Sequence, residues 1–139
     1  FKSQMDKFTS NSLGNKYVQL YFEEAHNLFP KDGDVTGIYA RLAKEGAKYH
    51  IGMVYSTQSP STINRDLLAQ TENFFIAHMS SRNEVKTLAD LNVAYEDLQE
   101  DILQAKSIGY IRMLTRSHRF VVPVQARKFS PISINPTES

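Results

Sequence analysis

The run "YVQLYFEEAH", residues 17–26, restricts the possible folds of this chain more than any other stretch. Six mostly apolar or aromatic residues read as a buried strand. They end directly on two adjacent acids, Glu23 and Glu24, with His26 two residues further on. A strand interior has no place for that group, so the acids belong at the strand's carboxyl end. In sheets with parallel strands that end is where ligands and chemistry collect.

The rest of the chain supplies the alternation such a sheet requires. "NLFPKDGDVTG" is a loop broken by Pro30, Gly33 and Gly37. A helix is expected over 35–49, with Ile38, Leu42 and Tyr49 on one face and Asp34 or Thr36 as its cap. "HIGMVYSTQ" (50–58) is a second strand, stopped by the turn chemistry of "SPS". A short helix follows over 62–70, and "NFFIAHM" (73–79) is a third strand. Ser81-x-x-Glu84 has the spacing of a capping box and opens a further helix. Residues 95–105 form another short helix, with Leu98, Ile102 and Ala105 on one side.

The segment 109–129 gives two strands turning near Ser117 and His118, with Pro123 marking an edge. Along the first of these strands, Ile111, Met113 and Leu114 are expected inward and Arg112 and Arg116 outward. Strand, helix, strand, helix, strand is the α/β order of a parallel sheet with flanking helices, here closed by a C-terminal β-hairpin. Residues 1–16 read as a polar lead-in (a helix end plus a loop), 17–128 as the core, and 129–139 as an extended tail.

Composition narrows the function classes. The 139 residues amount to one domain, and 41% hydrophobic with 11% aromatic content describes a globular chain. A formal net charge of +1 gives no bulk field toward nucleic acid, so any such contact rests on local charges. Without cysteine, disulfides and thiolate metal sites are excluded, which suits a cytoplasmic location. No apolar run approaches a membrane span, and "FKSQMDKFTS" has no signal-peptide core. The chain lacks an initiator Met, so it is expected to begin within a longer protein.

Two neighbouring strand tips would thus bring Glu23 and Glu24 beside Thr57 and Gln58. One carboxylate can hold Mg²⁺, directly or through water, while its neighbour polarises an attacking water. Phosphoryl transfer needs both. Thr57 and Gln58 could sense the γ-phosphate or hold the water. The plainer alternative makes the acids the start of a solvated loop and His26 a surface histidine. An isolated "EE" would favour it, whereas an apolar strand before the pair and "STQ" at the next tip favour function.

"YFEEAHNLFP", then "IYARLAKEGAKYHIGMVYSTQSPSTINRDLLAQTENFFIAHMSSRNE", then "GYIRMLTRSHRFVVPVQ" resemble the C-terminal half of the HerA-type DNA-translocating ATPases, in the HerA–FtsK branch of the P-loop NTPases. The strand with "EEAH" resembles the family's Walker B motif, and "STQSPS" the segment usually written Thr-Gln-Arg-Pro-Ser. DEAH-type helicases also carry such an acidic box, but follow it with Ser-Ala-Thr.

The resemblance implies ATP and Mg²⁺ as cofactors. Glu23 falls at the Mg²⁺-associated acid, Glu24 at the catalytic acid, and Gln58, beside Thr57, at the polar sensor. His26 would couple the site to neighbouring elements, and Arg41 is a candidate to reach a neighbouring subunit's nucleotide. Ala47 and Ser59 stand where the family often has Arg, so a trans-acting role would pass to Arg41, Arg65 or a residue outside the chain.

No G-x-x-x-x-G-K-[ST] loop is present, and Gly14-Asn15-Lys16 is not one. The expectation is therefore a partial P-loop fold without its Walker A half, inactive toward ATP alone. By the same resemblance the full protein is a homo-hexameric ring acting on DNA, in end resection with a nuclease or in antiphage defence with an effector. Lys31 could touch DNA phosphates; Lys16, Arg82, Arg116 and Arg119 are further basic positions, each as readily a solvated surface charge. The alternatives are a non-catalytic assembly domain of the same fold, and a conjugation or secretion ATPase of the same superfamily.

Overall fold

The computed structural model describes residues 1–12, 14–33 and 37–130. Two sheets share the work. β1 (Val18–Phe22) and β2 (Ile51–Tyr55) form a parallel pair in register, Val18 opposite Ile51 and Phe22 opposite Tyr55. β3 (Phe74–Ile76), β4 (Tyr110–Leu114) and β5 (Val122–Gln125) form an antiparallel sheet in that order. The third strand therefore opens the antiparallel sheet and does not extend the parallel one, because Phe74–Ile76 pairs with Arg112–Leu114. Pro123 lies on the edge strand β5, as its missing N–H requires.

α1 (Lys2–Thr9) precedes the sheets, and its Gln4 side chain donates to the Tyr49 carbonyl at 3.2 Å. α2 (Ile38–Glu45) crosses from β1 toward β2 and hands over to a 3₁₀ turn, Gly46–Tyr49. It starts at Gly37 without a side-chain cap; the expected caps Asp34 and Thr36 lie outside the described residues. α3 (Arg65–Ala69) is capped by Asn64, whose Oδ1 accepts from the Asp66 N–H at 2.9 Å. α4 (Arg82–Leu91), a 3₁₀ turn (Val93–Leu98) and α5 (Gln99–Gln104) pack on the antiparallel sheet. Among the described residues no helix is long and apolar enough to cross a membrane.

Alternation decides what β1 and β2 bury. Leu20, Phe22, Met53 and Tyr55 turn to the interior, where Phe22 and Met53 join two neighbouring clusters. One cluster is Ala25, Phe29, Ile63, Leu67 and Leu68. It lies directly beneath the segment that follows β1. The other face carries Tyr21 and Val54, 72% and 41% exposed. Parallel strands are normally covered on both faces. Here no layer of described residues covers this one, so the strand that reads as buried from sequence is half-buried.

Arg112 corrects the sequence reading outright. Expected outward, it is 1% exposed. Its Nε donates to Asp101 Oδ2 at 2.6 Å and its Nη2 to the Asp101 carbonyl at 2.7 Å, while its guanidinium sits 4.4 Å from the Tyr110 ring centre. A β-strand alternates regardless of residue type, and α5 supplies the acid that makes an inward arginine tolerable.

Candidate active site

β1 ends at Phe22, and the backbone then turns sharply. Glu24 adopts the left-handed conformation, φ 49° and ψ 51°, unusual for a residue with a side chain. The turn is held by the ladder beyond the strands: Ser56 N–H donates to the Phe22 carbonyl and Ala25 N–H to the Ser56 carbonyl, both at 2.9 Å. Ala25 is fully buried, so the peptide after Glu24 is anchored while Glu23 and Glu24 stay exposed. Backbone strain held by surrounding structure in this way clusters at functional sites. Because the chain turns here, the two acids escape strict strand alternation.

His26 closes the site. It lies in the 3₁₀ turn Ala25–Asn27, and its Nδ1 stands 3.3 Å from Thr57 Oγ1 and 3.4 Å from Glu24 Oε2. Thr57 Oγ1 also accepts from the Ser59 N–H at 3.0 Å, fixing the turn after β2. Acid, imidazole and hydroxyl from two strand tips are thus brought together. Gln58 is exposed beside Thr57. Among the described residues no three His, Asp or Glu side chains gather to hold a metal alone. Mg²⁺ commonly takes one or two carboxylates and completes its octahedron with water and phosphate oxygens, a mode that an exposed Glu23 fits.

The other candidates lie apart from this cluster. Arg41, on α2, reaches Glu45 Oε2 at 3.5 Å and stands over the Phe1 ring at 5.5 Å. Lys31 is exposed, its backbone N–H donating to the Thr62 carbonyl at 2.8 Å. Ala47 and Arg65 are exposed, and Ser59 is half-buried within the turn that Thr57 fixes. Lys16 and Arg119 are exposed, whereas Arg82 and Arg116 pair with Glu100 and Glu72, each at 2.6 Å.

One participant is missed by sequence reading. Glu84 has the capping-box spacing, and Ser81 Oγ accepts from its N–H at a long 3.5 Å. Its carboxylate, however, turns to Ser61: Oε2 accepts from the Ser61 N–H at 2.7 Å and Oε1 from the Ser61 hydroxyl at 2.6 Å. Ser61 closes the "STQSPS" segment. A Pro-Ser pair with two free donors after a strand tip was the available signal.

The chain is 31% identical over 108 residues to the DNA double-strand break repair helicase HerA of Sulfurisphaera tokodaii, covering 76% of this chain and 21% of that protein. To the protein of the same name from Pyrococcus furiosus it is 32% identical over 112 residues, 73% of this chain and 20% of that one. The chain thus spans about a fifth of the length of these curated relatives. Among solved structures, the genome packaging NTPase B204 of Sulfolobus turreted icosahedral virus 2 in complex with AMPPCP superposes with a TM-score of 0.68 at 12% identity, over 87% of this chain and 58% of that one. The same NTPase with AMP gives 0.65 at 15% identity, over 85% and 59%. No family model matches.

Proposed function

We propose, for a chain that belongs to the HerA-type P-loop ATPases, that its two strand tips are the hydrolytic half of an ATP-driven DNA motor. The observation that carries this reading is the left-handed Glu24, held at the tip of β1 and joined through His26 to Thr57 at the tip of β2. Glu24 is the general base: its carboxylate aligns the attacking water and draws off its proton as the water attacks the γ-phosphorus. Glu23 contributes a ligand to Mg²⁺, which when bound neutralises phosphate charge. Thr57 and Gln58 bond the γ-phosphate or the water. His26 keeps the Glu24 carboxylate and the Thr57 hydroxyl in one arrangement, so a change at either tip is felt at the other.

In the whole protein, a ring of identical subunits completes the site, with a phosphate-gripping loop from outside this chain. Arg41 is the candidate to approach a neighbouring subunit's nucleotide. Lys31 is the candidate for sequence-independent contact with DNA phosphates. The relatives are named DNA double-strand break repair helicases, which supports work on broken DNA as the working assignment; a nuclease partner belongs to the same proposal.

The test is ATP turnover by the full-length protein, with and without DNA. Turnover that DNA stimulates is the expected result. A full-length protein that binds DNA but hydrolyses no ATP would overturn the reading in favour of a non-catalytic assembly domain. Stimulation by polypeptide and not by DNA would favour a secretion motor.

A further inference from the structure

We propose that Glu84 is a positioning residue for the hydrolytic site, acting through Ser61 on the loop that carries Thr57 and Gln58. This rests on the ATPase reading above. The loop is pinned at both ends. At the near end, Thr57 Oγ1 holds the Ser59 N–H and meets His26. At the far end both Glu84 oxygens are engaged, one by the Ser61 N–H and one by its hydroxyl. Between them the Thr62 hydroxyl donates to the Ser59 carbonyl at 2.8 Å, which leaves the loop little internal freedom.

A carboxylate accepting two short hydrogen bonds makes a strong, directional clamp. Glu84 sits in the first turn of α4, next to Val85, which is buried in the core of the antiparallel sheet with Tyr95, Ile102 and Leu114. The clamp therefore ties the sensor loop to a separate packed unit. A shift of α4 would move Ser61 and, through the stiff turn, Gln58. Glu84 touches no reacting group itself; it fixes where the sensor stands.

The experiment uses the full-length protein and reads kcat, KM for ATP, binding of a fluorescent ATP analogue, and Tm. Glu84→Ala removes both acceptors. Glu84→Gln can still accept from the Ser61 N–H with its amide oxygen and donate from its amide nitrogen to the Ser61 hydroxyl, so it should rescue in part. Ser61→Ala keeps the backbone bond and is the milder test; Ser61→Thr keeps both donors and should behave as the parent. The expected result is a kcat lowered roughly ten- to a hundred-fold in Glu84→Ala, as for a misplacement of about an ångström at a distance from the chemistry, with a smaller loss in Glu84→Gln. KM, analogue binding and Tm should hold near parent values, and Glu84→Ala with Ser61→Ala should be no worse than Glu84→Ala alone.

Parent-level kcat in Glu84→Ala, or kcat, binding and Tm falling together in that variant, overturns the inference. Glu24→Gln separates this from the underlying reading. If it abolishes turnover while Glu84→Ala keeps the parent's kcat, only the clamp fails. If turnover survives Glu24→Gln, Glu24 is not the base; if the parent itself shows no turnover, the ATPase assignment and the clamp fall together.

Discussion

His26 Nδ1 stands 3.3 Å from Thr57 Oγ1, joining the segment after β1 to the segment after β2. The parallel pairing of Phe22 with Tyr55 brings the two tips level, and this contact turns two adjacent loops into one site. His26→Ala should therefore free Thr57 and lower ATP turnover by roughly tenfold in the full-length protein, less than the roughly hundredfold or more of a general acid or base, because His26 orients and transfers no proton. Thr57→Val, which removes the hydroxyl that meets His26 and accepts from the Ser59 N–H, should be at least as damaging. Steady-state kinetics with saturating ATP measure both.

Glu24 holds a backbone conformation that costs a side-chain-bearing residue about 1–2 kcal/mol. Glycine removes that cost and alanine does not. Glu24→Gly should be more stable than Glu24→Ala by about 1 kcal/mol, with both inactive. Urea denaturation of the two variants gives the difference, and equal midpoints would show that the turn is unstrained.

Arg112 and Asp101 fasten α5 to β4. Asp101→Ala leaves the buried guanidinium without its carboxylate and should cost about 2–4 kcal/mol, less than for a fully enclosed pair because Asp101 is partly solvated. Arg112→Lys should not compensate, since a lysine lacks the fork that meets both the Asp101 carboxylate and its carbonyl. Arg112 Nη1 has no hydrogen-bond partner, so Arg112→Met should be milder than Asp101→Ala. Chemical denaturation curves rank the three.

Burial pushes the Tyr95 hydroxyl well above the usual tyrosine range, and burial also raises Tyr55 against the opposing effect of its bond to Thr71. The unfolded chain releases these protons near pH 10, before the folded one does. Their contribution is whole below about pH 10 and is lost as pH rises through the folded values. Stability should fall more steeply above about pH 10 for the parent than for Tyr95→Phe, measured by denaturation midpoints at increasing pH.

The sequence shows the elements that local chemistry dictates. The apolar run ending in Glu23–Glu24, the "STQSPS" turn, the helix opened at Ser81 and the edge strand at Pro123 all lie where propensity and turn residues place them. What it hides depends on distant pairing. Nothing within Phe74–Ile76 says that its partner is β4, some forty residues later in the chain. Alternation alone cannot tell an inward arginine from an outward one until α5 brings Asp101 to it. Glu84 carries a local signature, the capping box, and spends its carboxylate on a loop 23 residues earlier. The candidate site was legible as residue types at two strand ends; the left-handed turn at Glu24 and the bridge through His26 became visible only in three dimensions.

The central claim, that Glu24 is the base of an ATP-hydrolysing motor, is tested most directly by Glu24→Gln in the full-length protein. The substitution keeps size and a hydrogen-bond acceptor and removes the basic carboxylate. The account predicts that kcat falls by about 10²-fold or more while ATP binding persists. Turnover within a few-fold of the parent, with binding unchanged, would contradict it.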